Sequence, residues 1–545
     1  MNKNKAKFIM IQGTGSHVGK SVAAAAVCRI LKQDGFSVCP FKSQNMALNS
    51  YVTASGGEMG RAQAVQAEAC GLEPEVYMNP VLIKPVADSR AQIIFMGEVV
   101  KNMGAIEYND KKYFYLGKIK GILNDLKKKF DYIVIEGAGS PAEINLMDND
   151  IVNMPVAEAA GSNVILIGDV DKGGVFASFY GTVKLLPVKY RKYIKGLLVN
   201  KFRGDMSLLK PGNDLIAKKL NIPVIGTIPF FRDIYIEEED SVNIEQEKDK
   251  IRISGSSGIA GSEKRIIISV IYLPHISNFT DFNAFELEKG VSLVYTKGRE
   301  ELNKLSPHMI IIPGSKSTIN DLKYLRNSGL EKEIIKKYRS GTVVMGICGG
   351  FQMLGKNIND RYGSESESAA SMRGIGLMDI ETDFLKDKNT SQVEFNINRD
   401  IFKHPALKDL SGDLASITEG VMKEYEIHMG KTGAVNLNSG KLIPLFKISK
   451  RGNKGGDLYD GFLKFDNSNE SMVMGTYIHG IFDNPGAREF ILKVIKDRND
   501  MLSYNNERES LSYSEFKEKQ YDRLADIFRE NMDMDLFYGI LNNKL

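Results

Sequence analysis

Cys348 stands between glycines in Gly346-Ile347-Cys348-Gly349-Gly350, after the apolar run Thr342–Ile347 and before Phe351-Gln352-Met353-Leu354. Strand, sharp turn and helix with a nucleophile at the turn form an elbow that exposes the reactive atom, here a sulfur. The helix N-terminus favours its thiolate. A cysteine that only packs has no need of a glycine at both shoulders. The base for such a thiol has to come from elsewhere in the chain. Of the six histidines, His479 follows directly on the apolar run Met472–Ile478 in Gly475-Thr476-Tyr477-Ile478-His479-Gly480. It is the favoured partner, with His428 in Tyr425-Glu426-Ile427-His428 as the alternative. His17, His275, His308 and His404 read as structural or exposed residues.

A second constellation lies at the other end of the chain. The run Phe8–Ile11 leads into Gly13-Thr14-Gly15-Ser16-His17-Val18-Gly19-Lys20-Ser21 and then a helical stretch from Ala23 to Leu31. A glycine-rich turn that opens a helix converges backbone N–H groups on phosphate oxygens, and the helix dipole favours their charge. Gly13, Thr14, Gly15, Gly19, Lys20 and Ser21 are therefore expected to bind ATP, with Lys20 on the β- and γ-phosphates and the Ser21 hydroxyl on Mg²⁺. Five residues separate Gly13 from Gly19, one more than in the common form. That variant resembles the loop of dethiobiotin synthetase and its relatives, which activate carboxylates or amines with ATP. Glu136, ending the run Tyr132–Ile135, is expected as a second Mg²⁺ contact at the carboxyl edge of a sheet. Asn200, ending Gly196–Val199, is expected at the adenine edge.

The elements that must hold these groups follow one pattern. Phe8–Ile11, Tyr132–Ile135, Asn163–Ile167, Gly196–Val199 and Val224–Ile228 are continuous β-branched runs separated by helix-length stretches, as in a parallel sheet covered on both faces. The pattern restarts with Arg265–Tyr272, Met309–Ile312, Thr342–Ile347 and Met472–Ile478. Between the two halves, Ser254–Ser262 has the glycine and serine content of a linker. The expected fold class is α/β in two domains. A phosphate-loop domain spans 1–245, a linker 246–263, a second α/β domain 264–500 and a helical tail 501–545, packed on one domain through Leu524, Ile527, Phe528 and Met532.

Composition narrows the function. In 545 residues, 72 Lys and Arg face 68 Asp and Glu, and the short runs Lys127–Lys129 and Glu237–Asp240 oppose each other, which argues against nucleic acid as a partner. No stretch approaches the ~20 apolar residues of a membrane span, and Phe8–Ile11 is too short for a signal-peptide core. Cys28, Cys39, Cys70 and Cys348 include no C-x-x-C pair, so neither a disulfide framework nor a zinc site is expected, and a reducing cytoplasm fits. The sequence sets no oligomeric state.

Several further strings carry a family resemblance: Phe41–Ser50, Asp169–Phe176 and Asn278–Phe282, in order with Gly13–Ser21 and the Cys348 and His479 segments. Together they resemble the cobyric acid synthase family, amidotransferases of cobalamin biosynthesis, over nearly the whole chain. Gln44–Ser50 and Asn278–Phe282 separate it from the sibling cobyrinic acid a,c-diamide synthases. The resemblance implies an N-terminal synthetase domain like that of dethiobiotin synthetase and a C-terminal glutaminase domain of class I type. It also implies a corrinoid substrate, adenosylcobyrinic acid a,c-diamide, amidated at its b, d, e and g carboxylates with ATP and glutamine. By analogy, backbone N–H groups near Gly349 and at Gly314-Ser315 would hold the oxyanion. Position in the matched strings assigns Lys42, Gln44, Asn45 and Asp171 to substrate, with Asp169 and Asp171 open to Mg²⁺ or substrate. Class I glutaminases carry Glu two residues after the histidine, where this chain has Ile481, so a Cys348–His479 dyad is expected. The competing readings are the a,c-diamide synthase or another amidotransferase of this fold and, in a different class, a non-catalytic nucleotide switch, which has no use for a nucleophile.

Overall fold

The computed structural model describes residues 6–87, 90–231, 233–237, 265–365, 370–410, 420–435, 442–452, 454–466, 471–499, 501 and 512–544. The linker expected at 246–263 lies outside the described residues. Two compact units divide the chain: Met1–Ala47, Gly57–Glu237 and Glu515–Leu545 form the first, Leu48–Gly56 and Glu238–Ser514 the second.

The first unit is built on a six-stranded sheet in the order Val224–Pro229, Ile194–Phe202, Asn163–Asp169, Lys7–Gly13, Tyr132–Glu136, Val38–Phe41. Every pairing is parallel, and each of the five apolar runs read from the sequence lies inside a strand. The edge strand Val38–Phe41 was not among them. It has only four residues, and its Pro40 is tolerated because an edge leaves one side of the ladder unpaired. The chain begins near the middle of this sheet, builds one side and then crosses to the other. The carboxyl ends of Lys7–Gly13 and its neighbours therefore meet at a switch point, the usual ligand crevice of such sheets.

Helix Lys20–Gln33 is covered on almost every side. Ala23, Ala24, Ala25 and Ala26 are at most 1% exposed, and such small side chains let neighbouring elements approach closely. Leu524, Ala525 and Phe528 of the helix Tyr513–Asn531 join the same apolar cluster as Ile9, Val27 and Leu31. The terminal helices thus complete the core of the first unit. Full burial of Leu524 and Phe528 contributes about 1.5–3 kcal/mol each. A four-stranded sheet, Gln44–Met46, Val81–Ala87, Arg90–Phe95 and Glu98–Gly104, is inserted between the second and third strands of the main sheet in chain order.

The second unit carries a mixed sheet. Val291–Thr296, Ile266–Ile271, Met309–Ile312, Val343–Ile347 and Met472–Thr476 are parallel neighbours in that order. Antiparallel strands then extend it through Lys454–Phe465, Leu442–Arg451 and Ile380–Ile397. The run read as Met472–Ile478 breaks after Thr476. The Asp460 carboxylate accepts the Thr476 hydroxyl and, at 3.1 Å, the Tyr477 N–H, while the Ile478 N–H donates to Thr476 Oγ1 at 3.0 Å. This bend moves Ile478–His479 onto Met422–Ala434, with Tyr425 opposite His479.

Candidate active sites

The elbow forms where Val343–Ile347 ends. Cys348 is held at φ 50 and ψ −107, a left-handed backbone that an L-residue occupies at a cost of about 1–3 kcal/mol. Its N–H donates to the Thr476 carbonyl at 2.8 Å, and the helix Gly349–Met353 starts on the next residue. The turn is possible only without side chains at its shoulders. A Cβ on Gly346 would lie 2.6 Å from the Gly350 carbonyl carbon, and one on Gly350 would collide with the Ile312 carbonyl.

His479, 1% exposed, lies beside Cys348 and donates from Nδ1 to Asp281 Oδ2 at 2.7 Å, while the Cys348 thiol donates to the Ile427 carbonyl at 3.5 Å. The second Asp281 oxygen accepts the Gly480 N–H at 3.1 Å, fixing the carboxylate from both sides. Burial pulls the imidazole pKa down, but the charge and hydrogen bond of Asp281, with neighbouring Cys348, push it up to about 10. Beside the expected Cys348–His479 dyad, Asp281 is the group that orients His479, giving the three side chains the arrangement of a triad. Its acid lies in the 3₁₀ segment Phe279–Leu287, far upstream of the histidine, while Ile481 is simply a buried apolar residue. Asp281 lies within Asn278–Phe282, but nothing in that string marks it as the histidine's partner. His428, the alternative base, is occupied elsewhere. Its Nδ1 donates to the Gly430 carbonyl at 2.7 Å, Nε2 accepts from Asn389 at 3.1 Å, and its ring stacks on Tyr477.

The residues expected to hold an oxyanion converge on the same corner. A Cβ placed on Gly314 would be 3.2 Å from His479 Cε1, and one on Gly349 would be 2.9 Å from the Ser315 amide nitrogen. Ser315 Oγ donates to buried Asp321 at 2.6 Å, which anchors this turn beside Cys348.

At the phosphate loop, Gly19 stands at φ 100 as the first residue before the helix Lys20–Gln33. Lys20 Nζ curls back onto the Gly15 carbonyl at 2.7 Å and the Gly139 carbonyl at 3.1 Å. Asn200 Nδ2 donates to the Val18 carbonyl at 2.9 Å, so this side chain helps to shape the loop. Glu136, 1% exposed, takes Ser21 Oγ at 2.8 Å and Lys42 Nζ at 3.0 Å on one oxygen. Its other oxygen takes Gln66 at 2.6 Å and Gln63 at 3.3 Å. Burial would raise its pKa, yet the Lys42 charge and these donors hold it below the ordinary carboxylate range. Gln63 and Gln66, on the helix Arg61–Cys70, were not foreseen, because glutamines on a buried helix carry no sequence signal of their target.

Of the residues assigned to substrate, Lys42 and Asn45 belong to this cluster, Asn45 Nδ2 donating to Gln63 Oε1 at 2.7 Å. Gln44 accepts from Tyr108 at 2.5 Å. Asp169 and Asp171 are engaged by Lys201 at 2.9 Å and Arg203 at 2.8 Å. A Ser hydroxyl beside an ionised carboxylate is the hard-oxygen donor set that suits Mg²⁺, which binds one or two carboxylates and completes its shell with phosphate and water. Among the described residues no cluster of three or more His, Cys, Asp and Glu suits a transition metal, and all four cysteines are free. No helix among them is long and apolar enough to cross a membrane.

A phosphate loop on a parallel sheet, followed on the same chain by a cysteine elbow with its histidine, defines a glutamine amidotransferase joined to a nucleotide-binding synthetase. Residues 9–243 match the CobQ/CobB/MinD/ParA nucleotide binding domain, and residues 267–487 the CobB/CobQ-like glutamine amidotransferase domain. The cobyric acid synthase of Dehalococcoides mccartyi strain CBDB1 is 47% identical, over 98% of this chain and 99% of its own. Those of Alkaliphilus metalliredigens and Clostridium tetani are each 46% identical over 98% of this chain, covering 100% and 98% of their own lengths. The chain belongs to the cobyric acid synthase family, and it is an ATP-dependent amidoligase.

Proposed function

We propose that the protein amidates the b, d, e and g carboxylates of adenosylcobyrinic acid a,c-diamide, in the cytoplasm, using ATP and the side-chain nitrogen of glutamine. The observation that carries this reading is the Cys348–His479–Asp281 triad on a chain that also bears a phosphate loop. A carboxylate is a poor electrophile, and transfer of the γ-phosphoryl group from ATP gives an acyl phosphate that ammonia can attack, releasing phosphate. Lys20 would offset charge on the transferring group, and Gly13, Gly15 and Gly19 would bring backbone N–H groups to the phosphates, whereas the Thr14 N–H is bonded to the Ile167 carbonyl at 2.9 Å. Ser21 and Glu136 would hold Mg²⁺, which supplies further charge neutralisation when bound.

In the second unit, the Cys348 sulfur attacks the glutamine amide carbon, and the N–H groups at Gly349 and Gly314-Ser315 would hold the developing oxyanion. His479 passes its proton to the leaving nitrogen, releasing ammonia and leaving a glutamyl thioester that water hydrolyses. Asp281 keeps the imidazole in the orientation and protonation state for that transfer.

The test is incubation with the a,c-diamide, ATP and glutamine followed by mass spectrometry. The expected result is four successive exchanges of –OH for –NH₂. Absence of any amidated corrinoid, with ATP and glutamine supplied, would refute the assignment.

A further inference from the structure

Residues Leu48–Gly56 follow directly on elements of the first unit, yet they fold with the second. Just before them, Lys42 and Asn45 are tied to the phosphate-loop cluster: Lys42 to Glu136 at 3.0 Å, and Asn45 to Gln63, which itself reaches Glu136. Within the second unit, Asn49 Oδ1 accepts from Thr280 at 3.4 Å and the Ser50 N–H donates to Asn278 Oδ1 at 3.3 Å. Tyr425 OH donates to the Ser50 carbonyl at 3.4 Å and accepts from Asn278 Nδ2 at 3.2 Å. The Tyr425 ring stacks on His479 at 5.5 Å, and Asn278 opens the turn that carries Asp281, whose N–H donates to the Asn278 carbonyl at 3.0 Å. One short stretch of chain therefore has its first residues bonded around Glu136 and its next ones bonded around the groups that set His479 and Asp281.

The Glu136 carboxylate already has four donors, Ser21, Lys42, Gln63 and Gln66. A carboxylate offers about four lone-pair sites, so this one is saturated. A cation or a substrate group that engages Glu136 must displace one of the four, and two of them bear on the stretch: Lys42 lies in it, and Gln63 holds its Asn45. We propose that residues 42–52 act as a coupling strap, through which occupancy of the Glu136 cluster changes the placement of Asn278 and Tyr425 and so sets the rate of glutamine hydrolysis at Cys348. Glutamine is then consumed at full rate only when a carboxylate is ready to accept the ammonia. In this scheme Asn49 is a positioning residue.

The inference rests on the amidoligase reading, and its test separates the two. Glutaminase turnover is measured with and without ATP plus the a,c-diamide in the parent, in Asn49→Ala, and in a variant with two glycines inserted between Ala47 and Leu48. The insertion leaves both sets of contacts available and loosens only the connection between them. In the parent the additions should stimulate hydrolysis. In both variants that stimulation should fall by about 5-fold or more, while unstimulated hydrolysis and ammonia-fed amidation stay at the parent level. A purely structural role would lower all three together. Equal stimulation in parent and variants would overturn the coupling, as would a parent that shows none. Should one variant lose its folded melting transition, the other decides. Absence of ammonia-fed amidation in the parent would instead refute the amidoligase assignment.

Discussion

A Cβ added to Gly15 of the phosphate loop would meet nothing within 4 Å, whereas one added to Gly350 of the elbow would run into the backbone at Ile312 and Pro313. Both turns join a parallel strand to a helix, and both are rich in glycine. In the first unit the space is open at the tip of the turn, beside Gly15, while at its base a Cβ on Gly13 would lie 2.6 Å from Val18 Cγ2 and one on Gly19 would collide with Asn200 Nδ2. The loop is held from behind by Asn200 on the Val18 carbonyl and by Lys20 on Gly15 and Gly139. In the second unit the glycines are filled over by neighbouring backbone, which holds Cys348 at φ 50. One turn is shaped to admit a ligand. The other is shaped to hold a nucleophile in a conformation it would not adopt alone.

The widest separation between the two regions should come from Cys348→Ser. Serine keeps the size and the elbow but removes the thiolate, so glutamine-dependent amidation should fall by roughly 10³-fold or more. Amidation fed by concentrated ammonium salt at high pH should survive. Loss of both in a folded protein would mean that the cysteine serves the synthetase chemistry and that the two regions are not separate sites. Lys20→Ala is the mirror experiment. Amidation from either nitrogen source should drop by about 10²-fold or more, because the phosphoryl group loses its cation, while glutamine hydrolysis persists. Near-normal ammonia-fed amidation in Lys20→Ala would remove the phosphate-loop assignment.

How much of each region was legible follows from how local it is. Gly13–Ser21 and Gly346–Gly350 are contiguous, and each lies between a β-branched run and a helix, so residue order alone locates the turn and the reacting group. The parallel strands were readable for the same reason, since burial on both faces demands unbroken apolar runs. Asp281 was not readable as the histidine's partner. It reaches His479 across 198 residues of chain, and in a 3₁₀ segment its side chain has no periodic position that marks it. Gln63 and Gln66 escaped for a related reason, because their target Glu136 is brought to them only by sheet order. The terminal helix was visible in the spacing of Leu524, Phe528 and Met532, but its seat in the first unit's core was not. An amphipathic face says that it is covered and leaves open what covers it.

Asp281→Asn sharpens the account of the second region. In the parent, the raised pKa keeps His479 protonated through neutral pH and the proton leaves as pH rises through about 10. The sign for stability is that of any raised histidine. Its contribution is full below the ordinary value of ~6.5 and is lost as pH rises from there through about 10. With asparagine, burial is no longer opposed by a carboxylate, so the histidine should titrate at or below its ordinary value. The expected outcome is a loss of about 10²-fold in glutaminase kcat, with the alkaline limb of the pH profile moved to lower pH. Ammonia-fed amidation should be unchanged. A profile that keeps its alkaline limb in Asp281→Asn would return the site to a Cys–His dyad.

The smallest effects test the opening contrast directly, through the same substitution at two glycines. Gly350→Ala places a methyl group 2.6 Å from the Ile312 carbonyl carbon, and both neighbours are main chain, which cannot turn aside as a side chain can. Forced overpacking of this kind costs about 1–3 kcal/mol, so thermal or denaturant unfolding of the second unit should shift by that amount. The strand end at Ile312 is displaced with it, and Gly314-Ser315 follows two residues later, so glutamine hydrolysis should weaken as well. Gly15→Ala adds the same methyl group to open space and should alter stability by no more than about 0.5 kcal/mol. Its effect belongs to the ligand: the KM for ATP should rise while glutamine hydrolysis stays at the parent rate. A Gly15→Ala protein as destabilised as Gly350→Ala would mean that the phosphate loop, too, is packed shut, and the distinction between an open turn and a strained one would fail.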